Sequence, residues 1–349
     1  MQRTGEGLEF GMESAGQDST GTGNGRPAAG EYDVVVIGGG AAGLSGALAL
    51  ARARRTVLVV DAGEPRNAPA SHVHNYLGQE GAPPAELYAA GRQEVLQYGA
   101  EIVQGRVETV GRIDGGGFSV RLASGDTVRA CRILAATGGA DRLPDVEGVR
   151  EHWGTGVLHC PYCHGWEVRD KEIGILAVDM ATAVHQALMW RQWSEHVALF
   201  LHTAGTPDAE QAEQLAARGI RVVEGEVIRV EGPEKVTGLR LASGALEPCD
   251  AVVVFTRVQA RAGYLAGVGL EAVEQFAGEI PTGTAVPVKP NGATEVPGVY
   301  AAGNVAEPMV QVIASAAAGM SAGAAINMDL ITEDIQQAVE SAARSVRSG

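Results

Sequence analysis

Asp33-Val34-Val35-Val36-Ile37-Gly38-Gly39-Gly40-Ala41-Ala42-Gly43 decides the fold. Four β-branched residues run straight into a glycine loop, and a segment rich in Ala and Leu follows to about Arg54. This reads as a short buried strand, a tight turn and a helix. A second apolar run, Thr56 to Val60, ends on Asp61, 18 residues beyond Gly43. Strand, Gly-x-Gly-x-x-Gly, helix, strand and terminal acid together open a dinucleotide-binding βαβ unit. Gly38 makes the tight turn, and Gly40, beside Ala41 and Ala42, lets the backbone approach a pyrophosphate. Gly43 lets the helix pack close to the strand, and Asp61 offers a carboxylate to ribose hydroxyls. The helix N-terminus supplies N–H donors and the positive end of its dipole to the phosphates. The loop alone does not separate FAD from NAD.

Outward from this unit the plan recurs. A strand over Glu172 to Val178, a helix from about Thr182 through Trp193 and a strand over Val197 to Leu201 form a second copy. Each copy reaches a hairpin and a closing strand, Cys131 to Ala136 in the first and Cys249 to Phe255 in the second. Two related doubly wound α/β domains are expected. A further strand at Pro297 to Gly303 and a small-residue helix from about Met309 to Leu330 return to the first domain. The expected organisation is a disordered tail over 1–29, a discontinuous FAD-binding domain over 30–148 and 281–332, an inserted domain over 149–280, and a C-terminal tail over 333–349.

Composition narrows the function. A chain of 349 residues, 45% hydrophobic, can bury a substantial core without staples. Its net charge of −15 offers nothing to a phosphate backbone or an anionic bilayer, so nucleic acid and membrane are not expected partners. No apolar run reaches the length of a membrane span. The first 28 residues lack a basic-then-apolar signal pattern, and a cytoplasmic location is expected. Four cysteines make no secreted disulfide framework. Cys131 and Cys249 stand apart at strand starts and are expected to be inert.

The other two lie in His159-Cys160-Pro-Tyr-Cys163-His164. Cys-x-x-Cys spacing closes a small redox-active disulfide and can lower the pKa of the attacking thiol. His164 can exchange a proton near neutral pH, as thiol–disulfide exchange requires. Other readings compete. A structural zinc site wants four ligands, and His159 to His164 is too compact to wrap one ion, so no metal is expected. Cys-x-x-Cys-His also matches a haem attachment site, but no export signal accompanies it. Two inert buried thiols are the third.

The resemblance becomes specific with two more segments. Ala135-Ala-Thr137-Gly138 and Tyr300-Ala-Ala-Gly303-Asn304 resemble the stretches with which flavoprotein disulfide reductases close round FAD. With the glycine loop and a Cys-x-x-Cys near the start of the second domain, the chain from Tyr32 to about Asp329 is similar to low-molecular-weight thioredoxin reductases. That resemblance implies Cys163 against the flavin and Cys160 exchanging with substrate. It also implies a homodimer, for which the Ala/Gly-rich C-terminal helix could pack across a two-fold. It places Arg66, His74, Asn75, Val107, Gln311 and Val312 among the cofactor contacts, with Asn304 where the family usually has Asp and His164 where it has an aspartate proton donor. Arg66 meets a phosphate or ribose, or is simply solvated. His72 reads equally as a surface loop, and Trp190 and Trp193 as core or interface packing.

One departure redirects the reading. Where the second domain needs its own glycine loop the chain has Gly174-Ile-Leu-Ala177-Val-Asp179-Met-Ala-Thr182. A carboxylate there repels pyrophosphate, and side chains block the backbone donors. The next strand ends in Leu201-His-Thr-Ala-Gly205, with neither an acid for ribose nor arginines for a 2′-phosphate. Such loss, with a histidine after the cysteine pair, is similar to the flavoprotein dithiol oxidases of the gliotoxin and holomycin type. They oxidise a small-molecule dithiol and pass the electrons through FAD to O2. His164 is then expected to take the substrate proton, oriented by Glu167. An NAD(P)H-dependent reductase, a ferredoxin-fed reductase and a flavin-bound redox sensor remain as alternatives.

Overall fold

The structure, a computed structural model, describes residues 30–348. The tail expected over 1–29 lies outside the described residues. Strand β1 (Glu31–Ile37) leads through the glycine loop into helix α1 (Ala41–Arg52) and strand β2 (Val57–Asp61). Helix α2 (Pro84–Gln97), strand β3 (Glu101–Gln104), the hairpin β4 (Val107–Arg112) and β5 (Phe118–Leu122), and strand β6 (Thr127–Ala135) follow. The sheet order is β3-β2-β1-β6-β5-β4, with β3, β2, β1 and β6 parallel. Alternate residues of β1 enter two different cores. Val35 and Ile37 join the hairpin side, while Val34 and Val36 join α1 and α2. Burial on both faces is why this strand reads as an unbroken apolar run.

Strand β7 (Gly139–Arg142) leaves this sheet, and β8 (Val157–Leu158) ends at the cysteine helix α3 (Pro161–His164). Next come β9 (Ile173–Leu176), α4 (Met180–Trp190), β10 (Val197–Phe200), α5 (Ala209–Ala217) and β11 (Arg221–Val223). A small antiparallel sheet of β12 (Val227–Glu231), β13 (Gly238–Leu241) and β14 (Leu246–Pro248) precedes β15 (Ala251–Val253). The parallel order β11-β10-β9-β15-β8 makes the second doubly wound sheet. Strands β16 (Arg257–Ala260), β17 (Val273–Ala277) and β18 (Ile280–Ala285) form a fourth sheet with β7. Then β19 (Val299–Ala301) returns to pair in parallel with β6. Among the described residues no helix is long and apolar enough to cross a membrane.

The nine-residue β6 pairs with β1 along one edge and is shared on the other, its first half pairing with β5 and its last three residues with β19. Ile37 and Ala301 both register against Ala135. Three strand C-termini therefore end level, at the edge where open α/β sheets bind ligands.

The last helix, α6 (Val312–Ser348), starts later and runs further than the sequence predicts. Pro308 has no N–H to give a helix, and the Asn304 amide donates to the carbonyls of Glu307, Pro308 and Val310, holding that stretch as a loop. At the other end no proline stops the helix, so the expected tail is helical. Its glycines are used inside the chain: a Cβ on Gly319 would stand 1.9 Å from the Ala42 carbonyl oxygen, and one on Gly323 2.7 Å from that of Gly46. The small-residue face expected at a two-fold is thus the seam between α6 and α1.

Candidate active site

The level ends of β1, β6 and β19 open into a cavity of about 750 Å3. Gly38, Gly40, Ala41, Ala42 and Asp61 share its wall with Val107, Thr137 and Gly138, and with Gly303, Asn304, Gln311 and Val312. Cys160, Cys163 and His164 stand on the same wall. The glycines divide their work physically. Gly38, at φ 111°, takes a turn that disfavours side chains, and a Cβ there would sit 2.3 Å from the Ala136 carbonyl oxygen. Gly43 is off the wall, and its Cβ would meet the Gly38 carbonyl oxygen at 1.8 Å. Around Gly40 a Cβ would meet nothing within 4 Å, so this backbone is left bare toward open space that a dinucleotide phosphate fits. Asp61 is anchored by the N–H groups of Gly39 and Gly63, each at 3.1 Å, and pairs with Arg92 of α2, which no local motif announces. The donor set fits a flavin dinucleotide.

Helix α3 presents the cysteines. Pro161 starts it with a preset φ, and the Cys160 carbonyl accepts the N–H groups of Cys163 and His164 at 3.2 Å each. Both thiols are free and half-buried, and the Gln311 amide lies 3.9 Å from the Cys163 sulfur. Trp193 braces this loop from behind, edge-on to Tyr162 and 2.8 Å from where a Cβ on Gly165 would be. Trp190 is fully buried and donates to Gln186 at 2.9 Å.

Two clusters hold the loop in ways the sequence does not reveal. Arg66 stands on the cavity wall with its charge paired rather than free. It makes two 2.7 Å bonds to Asp141 and a third, at 3.4 Å, to the Pro308 carbonyl. Asp141 also accepts from the Thr256 hydroxyl at 2.6 Å, and the Thr256 N–H reaches His159 Nδ1 at 3.2 Å. Across the loop, Asn75 is not on the cavity wall, contrary to expectation. In a left-handed turn at φ 59°, it spends its amide on the Tyr162 carbonyl at 2.5 Å and its N–H on Glu80 at 2.8 Å. Nor does Glu167 orient His164. Glu167 lies 3.5 Å from His74 Nε2, while His74 Nδ1 binds Glu80 at 2.6 Å. The His164 Nδ1 atom is buried with no hydrogen-bond partner.

Residues 32–328 match the model of the pyridine nucleotide-disulphide oxidoreductase family. The chain belongs to that family. It is an oxidoreductase of flavoprotein, thiol–disulfide type. It is 30% identical to thioredoxin reductase sirT of Leptosphaeria maculans over 87% of this chain and 96% of that one. Thioredoxin reductase tcpT of Claviceps purpurea is 28% identical, over 86% of this chain and 95% of that one. Among solved structures, HlmI is 43% identical with a TM-score of 0.84, covering 90% of this chain and 98% of its own. An oxidoreductase from Agrobacterium tumefaciens is 36% identical with a TM-score of 0.80, covering 86% and 99%.

A member of this family that draws on a pyridine nucleotide needs the helix N-terminus after β9 free to bind phosphate. Here Asp179 is the N-cap of α4, and its carboxylate accepts from the Thr182 N–H at 3.0 Å. A carboxylate thus takes one of the N–H donors, and the position at the helix N-terminus, that a pyrophosphate would use.

Electrostatics separate the two pairs of cysteines. Cys160 is pulled down to about 6 because it accepts from the Cys163 thiol and from the N–H groups of Cys163 and Tyr162, against the cost of its burial. The same pairing, with burial, holds Cys163 up as the protonated partner. Burial pushes the thiol of Cys249 up to about 12 and that of Cys131 up as well. Burial likewise keeps His159 down at about 4 and lowers His164, so both are neutral at pH 7. In the reduced protein, iodoacetamide should therefore alkylate Cys160 with a rate that rises through a midpoint near pH 6 and levels off by neutral pH, while Cys131 and Cys249 stay slow. Peptide mass spectrometry after timed alkylation measures this, and a midpoint near 9 at Cys160 would contradict the pairing.

Proposed function

We propose that the chain oxidises a small-molecule dithiol to its intramolecular disulfide, with FAD as cofactor and O2 as final electron acceptor, in the cytoplasm. The observation that carries this reading is Asp179 capping α4, in a chain that keeps its cysteine pair on the wall of the first sheet's cavity. A pair that cannot be fed from a nucleotide is better placed to accept electrons than to deliver them. Gly38, Gly40, Ala41, Ala42 and Asp61 would hold the pyrophosphate and ribose of FAD, with Thr137, Gly138, Gly303 and Asn304 along its remainder. With its Nδ2 engaged by three carbonyls, Asn304 keeps Oδ1 as the acceptor for a hydroxyl.

The chain's own residues carry the sulfur chemistry. One substrate thiol gives its proton to neutral His164, and the thiolate attacks the Cys160 sulfur of the Cys160–Cys163 disulfide. A mixed disulfide forms, and Cys163 leaves as a thiolate. The second substrate thiolate attacks the substrate sulfur of that bond, releasing Cys160 and the product disulfide. Two electrons now rest on the reduced pair. The low pKa of Cys160 makes it a good leaving group in this second step. A bound flavin supplies the two-electron path from the pair to O2. Spare thiols at Cys131 and Cys249 support a reducing compartment.

The names of the fungal relatives favour a second reading, an NAD(P)H-dependent reductase. Stopped-flow mixing separates the two. The oxidised protein should bleach its flavin with a small dithiol and consume one O2 per disulfide formed, while NADPH or NADH should act at least about 10^3-fold more slowly, a difference of roughly 4 kcal/mol. Rapid bleaching by either nucleotide overturns the oxidase reading.

A further inference from the structure

The turn that brings Asn75 to the cysteine loop also builds a base. Val73 is buried and bridges Ala82, its N–H donating to the Ala82 carbonyl at 2.8 Å and its carbonyl accepting from Gly81 at 2.9 Å. Left-handed backbone at Asn75, Gly78 and Gly81 folds the residues between them back on themselves. Glu80 is thereby returned to His74. One of its carboxylate oxygens lies 2.6 Å from His74 Nδ1, and the other accepts the Asn75 N–H at 2.8 Å. Those two contacts hold the Glu80 carboxyl below the usual carboxylate range. An ionised carboxylate has no proton to give, so Nδ1 carries the hydrogen of that bond and Nε2 keeps its lone pair. At 3.5 Å, Glu167 is too far to hold Nε2 in a hydrogen bond.

The loop is pinned where such a base can be used. Asn75 reaches the carbonyl of Tyr162, between the two cysteines, and His74 shares the cavity wall with Cys160, Cys163 and His164. A ring nitrogen left open while a carboxylate orients the other is the arrangement that activates nucleophiles on unrelated folds. His164 lacks it. Burial lowers that ring, and its Nδ1 meets no partner that would steady a positive charge.

A dithiol loses two protons as it becomes a disulfide, and His164 alone can take only one of them. We propose that His74, oriented by Glu80, is the general base for the second thiol, a role that rests on the dithiol reading above. Once Cys160 carries the first substrate sulfur, His74 Nε2 takes the proton of the second thiol. That second sulfur attacks the first, the substrate S–S bond forms, the bond to Cys160 breaks, and its electron pair stays on the Cys160 sulfur. The substrate has then lost two electrons and the cysteine pair has gained two. Glu80 stabilises the imidazolium, and the Nε2 proton can pass to Glu167, whose exposed carboxylate meets water. His74 is thus a catalytic residue and Glu80 a positioning one.

Dithiothreitol mixed anaerobically with the oxidised, flavin-loaded chain follows this step without O2 or a nucleotide, read by acid quenching and intact mass. In the parent the pair should be reduced with little mixed disulfide present at any time. His74→Ala should form the mixed disulfide on Cys160 near the parent's rate and resolve it about 10^2-fold more slowly, so that a species one dithiothreitol heavier accumulates. Added imidazole should speed that resolution at least about tenfold and leave the parent unchanged, which a loop that had merely lost its shape would not show. Glu80→Gln keeps an acceptor of the same size without its charge, and should slow resolution at least about tenfold. Resolution at the parent's rate in His74→Ala, no response to imidazole, or a Glu80→Gln protein as fast as the parent overturns the assignment and leaves the dithiol reading standing. An oxidised parent whose cysteine pair dithiothreitol does not reduce overturns both.

Discussion

Replacing Cys163 by Ser should abolish dithiol oxidation, with a loss of at least about 10^4-fold in turnover, because no disulfide can then form to be attacked. The variant should keep its flavin, since Cys163 is one residue among many on the cavity wall. Cys160 should stay nucleophilic, but less so. Its low pKa depends first on the Cys163 thiol, which a serine hydroxyl replaces, and then on backbone donors that remain. Offered a small-molecule disulfide, Cys163→Ser should accumulate a mixed disulfide on Cys160, seen as one added substrate mass on that peptide. Cys160→Ser should be equally dead in turnover and should trap nothing, because the thiol that remains is held protonated by burial. Oxygen uptake and intact-mass measurements on the two variants check the assignment. Trapping on Cys163 instead of Cys160 would reverse the roles given to the pair.

What the sequence discloses about this site is what neighbours in the chain can disclose. The glycine loop, Asp61 and the cysteine pair are each a local pattern whose chemistry needs that spacing, and the structure places them on one cavity wall. Asp179 was legible for the same reason, as a carboxylate at a turn that elsewhere binds phosphate. The supports of the cysteine loop were not legible. Asp141 lies on β7, Thr256 just after β15 and Arg66 in the loop after β2, and only tertiary packing joins them. Arg92 was hidden by the same distance, being 31 residues from Asp61. Position in the chain points Asn75 to the cofactor and Glu167 to His164. A left-handed turn at Asn75 and the reach of His74 send both elsewhere. The start of α6 was misplaced because Asn304 caps the carbonyls of a loop that looks helical in composition.

The two glycines of the first loop that do different work can be separated by the same small change, and their contrast is the strongest test of how the fold makes the site. Gly43→Ala drives a methyl to 1.8 Å from the Gly38 carbonyl oxygen. Both groups belong to backbone that β1 and α1 fix, so neither can swing away as a flexible side chain would. The cost should reach or exceed the upper end of the usual overpacking range, about 3 kcal/mol, a large part of the net stability of an ordinary domain. Loss of stability should appear as a fall of several degrees in the melting temperature of the apoprotein, together with poor flavin retention. Gly40→Ala meets no atom within 4 Å, so its apoprotein should melt within about 1 kcal/mol of the parent. The added methyl instead occupies space left for the cofactor's phosphates. It should lower flavin affinity by at least about tenfold, or 1.4 kcal/mol, through lost contact between phosphate and backbone N–H groups. Flavin titration of each apoprotein, alongside its thermal melt, measures both quantities. A Gly40→Ala protein that binds flavin as tightly as the parent would mean that the phosphates lie elsewhere, and the assignment of the loop would fall with it.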